Sequence, residues 1–86
     1  MKGKTSTGFE FEVNDEQLDD WTLLKYLRKV DQGEVQYMID AVPLLLGEEQ
    51  EQHLEKHLYD LEGSVKATSM AREVSEIMQS NKDLKN

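Results

Sequence analysis

The chain has no cysteine, one proline and two histidines. It also has no glycine-rich phosphate loop, and no apolar run approaches the roughly 18 residues of a membrane-spanning helix. Each absence removes a class of protein. Without cysteine there can be no disulfide framework and no thiolate metal site, so a reducing compartment suits the chain and a secreted scaffold is not suggested. Met1-Lys2-Gly3-Lys4-Thr5 carries two lysines with no hydrophobic region behind them, so no signal peptide is expected. The expectation is an intracellular chain that works by its surfaces. Its 86 residues make one domain, and a chain this short buries only about 60–65 % of its unfolded surface. With 37 % hydrophobic and 33 % charged residues it has enough core to fold, with little stability to spare.

The net charge of −8 is unevenly placed. Residues 9–62 hold 15 of the 18 acids and only Lys25, Arg28, Lys29 and Lys56 as bases, a local charge of −11. Neutralising phosphates needs the opposite sign, so nucleic acid is not an expected ligand. An acidic surface solubilises the domain and can steer basic partners toward it.

Along the chain, Lys2 to Val13 is the one strand-like stretch. Phe9, Phe11 and Val13 alternate with Glu10 and Glu12, as on a strand with one apolar face. Thr7-Gly8 offers a turn, and Lys4-Thr5-Ser6 a short preceding strand of a hairpin. Left exposed, this hairpin would present an edge to another chain. Asn14 then reads as a helix N-cap, with Gln17 at the capping-box position and acids in the first turn.

A helix over 15–31 follows, with Leu18, Trp21, Leu24 and Leu27 as its stripe, widened by Leu23 and Val30, and ended by Gly33. A second is expected over 34–46 with Val35, Met38, Ile39 and Val42 inward. Pro43 should kink or break it near Ala41–Val42, because proline lacks a donor and clashes with the preceding turn. Gly47 closes it. A third helix over 48–61 carries Leu54, Leu58 and Leu61, and Gly63 ends it. A fourth over 67–80 carries Met70, Val74, Ile77 and Met78. The segment 81–86 has no periodicity and is expected to be a flexible tail behind a single domain, 1–80. The fold class expected is therefore mainly α, a bundle of about four helices with a short N-terminal β-hairpin. Trp21, Leu24, Leu27, Leu45, Leu58 and Ile77 are expected in one buried cluster.

The reactive groups are few. His53 and His57 lie four apart with Glu49 another four back, which places three possible metal ligands on one helical face. The metalloprotease pattern, however, puts glutamate directly after the first histidine. Here the order is His53-Leu54-Glu55-Lys56-His57, with a lysine competing for the site. Surface histidines are expected, with no metal and no cofactor. The acid pairs Asp19-Asp20, Glu48-Glu49 and Asp60 with Glu62 point about 100° apart or into water, and lack the shared apolar cleft that acid–base catalysis needs. No catalytic residue is expected. Met38, Met70 and Met78 are core by default, though methionine also suits grooves that accommodate variable helices.

The order of motifs carries a resemblance. Gly8-Phe9-Glu10-Phe11-Glu12-Val13, Leu18-Asp19-Asp20-Trp21 with Leu24 and Leu27, and Val30-Asp31-x-Gly33 come first. Leu44-Leu45-Leu46-Gly47-Glu48-Glu49-Gln50, Leu54-x-x-His57-Leu58, Glu62-Gly63-x-Val65 and Met70 follow. Over about residues 3–80 this resembles the small tail assembly chaperones of long-tailed phages and prophages of low-GC Gram-positive bacteria. Pro43 and the charged Glu49–Glu55 stretch depart from that pattern. The resemblance implies a non-enzymatic protein of the bacterial host cytoplasm, absent from the mature virion. It implies binding to the tape measure protein, a long helix-rich polypeptide that aggregates unless covered, and help in bringing tail tube protein to it. In many relatives a frameshifted longer form recruits the tube protein.

Phe9, Phe11 and Val13 of the hairpin, with Val35, Met38 and Val42 of the second helix, are the surfaces expected to bind partners and to give weak homo-oligomers. The other readings are an acidic inhibitor that mimics nucleic acid or binds a basic host protein, for which the charge of the middle is the support, and a metal-dependent enzyme resting on His53 and His57.

Overall fold

The computed structural model describes residues 1–85, with side chains to residue 80. Two short antiparallel strands, β1 (Lys2–Lys4) and β2 (Glu10–Glu12), open the chain, paired Lys2 to Glu12, Gly3 to Phe11 and Lys4 to Glu10. Four helices follow: α1 (Asp15–Leu18), α2 (Trp21–Asp31), α3 (Met38–Glu62) and α4 (Ala67–Lys85), with a 3-10 turn at Val35–Tyr37 before α3. The domain is mainly α with an N-terminal hairpin, as its periodicities indicate.

The expected helix over 15–31 is two helices. Asn14 caps α1 through the full capping box with Gln17. The chain then leaves helical geometry at Asp19, and the Asp20 carboxylate accepts from the backbone N–H groups of Thr22 (2.8 Å) and Leu23 (3.2 Å) to start α2. Aspartate is a poor helix-interior residue and a strong N-cap, so local chemistry favours the restart over continuation. The restart changes the phase. Leu23, fully buried, takes the inward position, while Trp21 is 74 % exposed and Leu24 40 % exposed. Both had been expected in the core; Leu27 packs on it half-buried, and Leu45, Leu58 and Ile77 lie within it.

Pro43 does not break α3. Backbone angles stay helical through it, and the break falls at Gly47 (φ 78°, ψ 163°), a conformation essentially restricted to glycine. The carbonyl that loses its donor to Pro43 belongs to Ile39, which is 76 % exposed, so water can replace the missing bond. Past the break, the Gln50 side-chain amide donates to the Leu46 carbonyl (2.8 Å) and so bridges the two arms.

Met38, Val42, Leu45, Leu46, Leu54 and Leu58 face inward from α3, and Met70, Val74 and Ile77 from α4. Ile39, Val35 and Leu61 do not, contrary to their expected places. Val35 belongs to the 3-10 turn, whose period differs from that of the helix, and Ile39 lies one residue, about 100°, from the Met38–Val42–Leu45 stripe. The backbone of α4 runs past Ser80 to Lys85, so most of the segment expected as a free tail is helical, there being no glycine or proline to stop it. Asn86 lies outside the described residues.

Candidate protein-binding surfaces

The hairpin face is closed. Phe9, Phe11 and Val13 are 5 %, 4 % and 2 % exposed, so their apolar side chains belong to the core and offer no docking face. This corrects the place expected for them, and the physical reason is alternation itself: a strand with one apolar face buries that face wherever a helical core can receive it. Phe11 lies across Gly3, where a Cβ would come within 2.6 Å of the ring. Phe9, Phe11 and Val13 direct their backbone groups toward β1 and its flanking residues Met1 and Thr5, leaving the backbone of Glu10 and Glu12 directed to the open edge. Gln50 covers part of that edge as a strand would, accepting from the Glu12 N–H (2.7 Å) and donating to the Glu12 carbonyl (2.7 Å).

The hairpin turn is fastened to α4 by carboxylates. Glu73, fully buried, accepts from the Thr5 hydroxyl (2.7 Å) and the Thr7 hydroxyl (2.8 Å). Each threonine has one hydroxyl proton, and both are used on Glu73. The 3.1 Å contact between His57 Nε2 and Thr7 Oγ1 therefore has the histidine donating, so Nε2 carries the proton. His57 is half-buried against Phe9 (ring centroids 5.8 Å apart), not the surface histidine expected, while His53 and Glu49 are exposed. Among the described residues, no group of three histidine, aspartate or glutamate side chains is placed to hold a metal ion. One turn further along α4, Glu76 accepts from both the N–H and the hydroxyl of Ser6 (2.8 Å each), and these bonds hold its carboxyl below the usual carboxylate range.

Another side is open. A groove of about 300 Å³ lies between the 3-10 turn, both arms of α3 and the start of α4. Val35, Met38, Val42 and Met70 line it with Ile39 and Val65, so it gathers three of the six residues expected at partner surfaces. Met38 and Val42 are buried (5 % and 2 % exposed) and form its floor rather than free surface; Val35, Ile39 and Val65 are exposed at its lip. Glu51 and Glu55, one helical turn apart, stand on its rim, with Lys66 as the one lining cation. Burial, reinforced by the neighbouring Glu55 and Glu48 carboxylates, pushes the Glu51 carboxyl above its ordinary value. Neither glutamate has an ion-pair partner among the described residues.

A second groove of about 500 Å³ runs between α2 and α4, with Leu24, Leu27 and Val30 facing Ala71, Val74 and Met78. Among the described residues its rim carries one charge of each sign, Arg28 and Asp31. Beside it, Tyr37 stacks on Tyr26 (5.9 Å) with the Lys29 ammonium 4.9 Å from its ring, which pins the 3-10 turn to α2.

None of the protein-family models, curated proteins or solved structures compared with the chain matches it. No helix among the described residues is long and apolar enough to cross a membrane.

Proposed function

We propose that the protein is a non-enzymatic tail assembly chaperone of a phage or prophage. In this reading it works in the cytoplasm of the bacterial host, covers the helix-rich tape measure protein, and is absent from the finished virion. Tail tube protein is recruited to the same complex through a longer frameshifted form. The motif order over residues 3–80 supplies the identity of the partner. The observation that carries the reading as a binding module is the open side: Ile39, Val35 and Val65 stand exposed at the lip of an apolar groove on an acidic domain. Large apolar side chains concentrated around a concavity are a feature of partner surfaces, and a helical segment laid in such a groove is protected from aggregation. Weak contacts repeated along a long partner gain from multivalency.

Co-production with a tape measure fragment tests the reading. Soluble fragment co-purifying with the chaperone is expected. A fragment that stays insoluble with the chaperone in excess would overturn the assignment. Capture of a basic DNA-binding host protein instead would favour an acidic inhibitor.

A further inference from the structure

We propose that the groove between the two arms of α3 and the start of α4 docks a basic amphipathic helix, with apolar anchors on Ile39, Val35 and Val65 and lysine or arginine residues on Glu51 and Glu55. The proposal rests on the reading of the domain as a helix-binding chaperone and adds the chemistry of the segment it selects.

The floor and lip of the groove are apolar, which calls for an apolar stripe. Its walls are largely helical, with backbone groups already paired along the helices, so a strand would find little to add to. A helix arrives with its own backbone bonds made. Glu51 and Glu55 are separated by one turn, about 6 Å along the axis, which matches cations three or four residues apart on a partner helix.

The sign of the partner follows from the rim. Among the described residues two glutamates and one lysine, Lys66, line the groove. Glu51 is half-buried, and its carboxyl is already held high by that burial and by Glu55 and Glu48. A cation placed there relieves like-charge repulsion, whereas an acidic partner would add to it. Lys56, the nearby cation on α3, is engaged with Asp60 at 2.9 Å. The larger groove gives no such direction, because the charges of the described residues on its rim are balanced.

The test uses the full chain and a labelled helical peptide of about 18 residues, five turns, with a leucine stripe flanked by lysines. A twin carries glutamate in place of every lysine. Fluorescence anisotropy is expected to show binding of the basic peptide, weakening with added salt, and none of the acidic twin. Ile39→Asp should weaken binding about tenfold or more by placing a charge at the apolar lip. Glu51→Gln with Glu55→Gln should weaken it about three- to tenfold at low salt, as partly exposed charge pairs do. Both sets of substitutions fall on positions outside the core, and circular dichroism checks that each variant folds.

Equal binding of the two peptides, or basic-peptide affinity unchanged in Ile39→Asp, would overturn the proposal. So would a dimer of the free protein that Ile39→Asp dissociates, because the occupant would then be a second copy. A tape measure fragment kept soluble by Ile39→Asp as well as by the parent would leave the chaperone reading standing and remove the groove. Basic-peptide binding that the Ile39 and Glu51/Glu55 substitutions abolish, with no rescue of the tape measure fragment, would keep the groove and remove that partner.

Discussion

The hairpin side and the groove side of this domain are both built from apolar residues among acids, yet one is closed and the other open. On the hairpin side, Phe9, Phe11 and Val13 sink into the core. The polar groups around them are tied down: Gln50 holds the Glu12 backbone at the edge, Glu73 the Thr5 and Thr7 hydroxyls and Glu76 the Ser6 backbone N–H at the turn. On the groove side, Val35, Ile39 and Val65 remain at the surface, and neither Glu51 nor Glu55 has an ion-pair partner among the described residues. Apolar pattern alone does not decide which side a partner can use. The difference lies in whether polar side chains from elsewhere in the chain complete the backbone and the charges of that side.

The largest expected effect lies in the core that both sides share. Leu58 is fully buried beneath them, and Leu58→Ala should cost about 3 kcal/mol, a large part of a small domain's stability. A midpoint of chemical denaturation close to that of the parent would place the core elsewhere. Next comes the fastening of the hairpin. Glu73→Ala leaves the buried Thr5 hydroxyl without its acceptor and should cost about 2 kcal/mol. Thermal unfolding that does not distinguish it from the parent would mean that the turn is not held through α4. Gly3→Ala should be destabilising by about 1–2 kcal/mol, since the new methyl displaces the Phe11 ring.

Smaller effects separate the two sides by pH. Glu76 titrates below its ordinary value in the folded protein, so its contribution is present at neutral pH and is lost as pH falls through the acidic range below that value. Ser6→Ala should therefore lower stability at neutral pH and converge with the parent in acid. Glu51 behaves in the opposite sense. Its raised value means that the folded state binds the proton more readily, so its charged form opposes folding above the ordinary carboxylate range. Glu51→Gln should be slightly more stable than the parent at neutral pH and lose that advantage as the pH is lowered. The same pH dependence for both variants would contradict the contrast between a satisfied side and an unsatisfied one. Trp21→Ala, on a side chain 74 % exposed, should change stability by no more than about 0.5 kcal/mol.

Much of the architecture was legible because it depends on neighbouring residues. The Asn14–Gln17 capping box, the hairpin alternation and the stops at Gly47 and Gly63 are each set within a few positions of the chain. The errors of phase at Trp21 and Leu24 came from one cap. Asp20 was visible as half of an acid pair, and its standing as an N-cap before Leu23 was the available signal that Trp21 would turn outward. Pro43 misled because its cost depends on where the orphaned carbonyl points, which periodicity does not show. The buried Glu73 and the bridging Gln50 could not be read at all, since their partners lie 66–68 and 38 positions away in the chain. Of the six residues expected at partner surfaces, Val35, Met38 and Val42 meet in one groove, and the three hairpin residues belong to the core.

Amide hydrogen exchange on the complex with a tape measure segment tests the central contrast most directly. Protection gained on binding should concentrate on residues 35–42 and 51–70, the walls of the acidic-rimmed groove, with residues 1–13 exchanging as in the free protein. Protection gained along the hairpin, with the groove unchanged, would contradict the account.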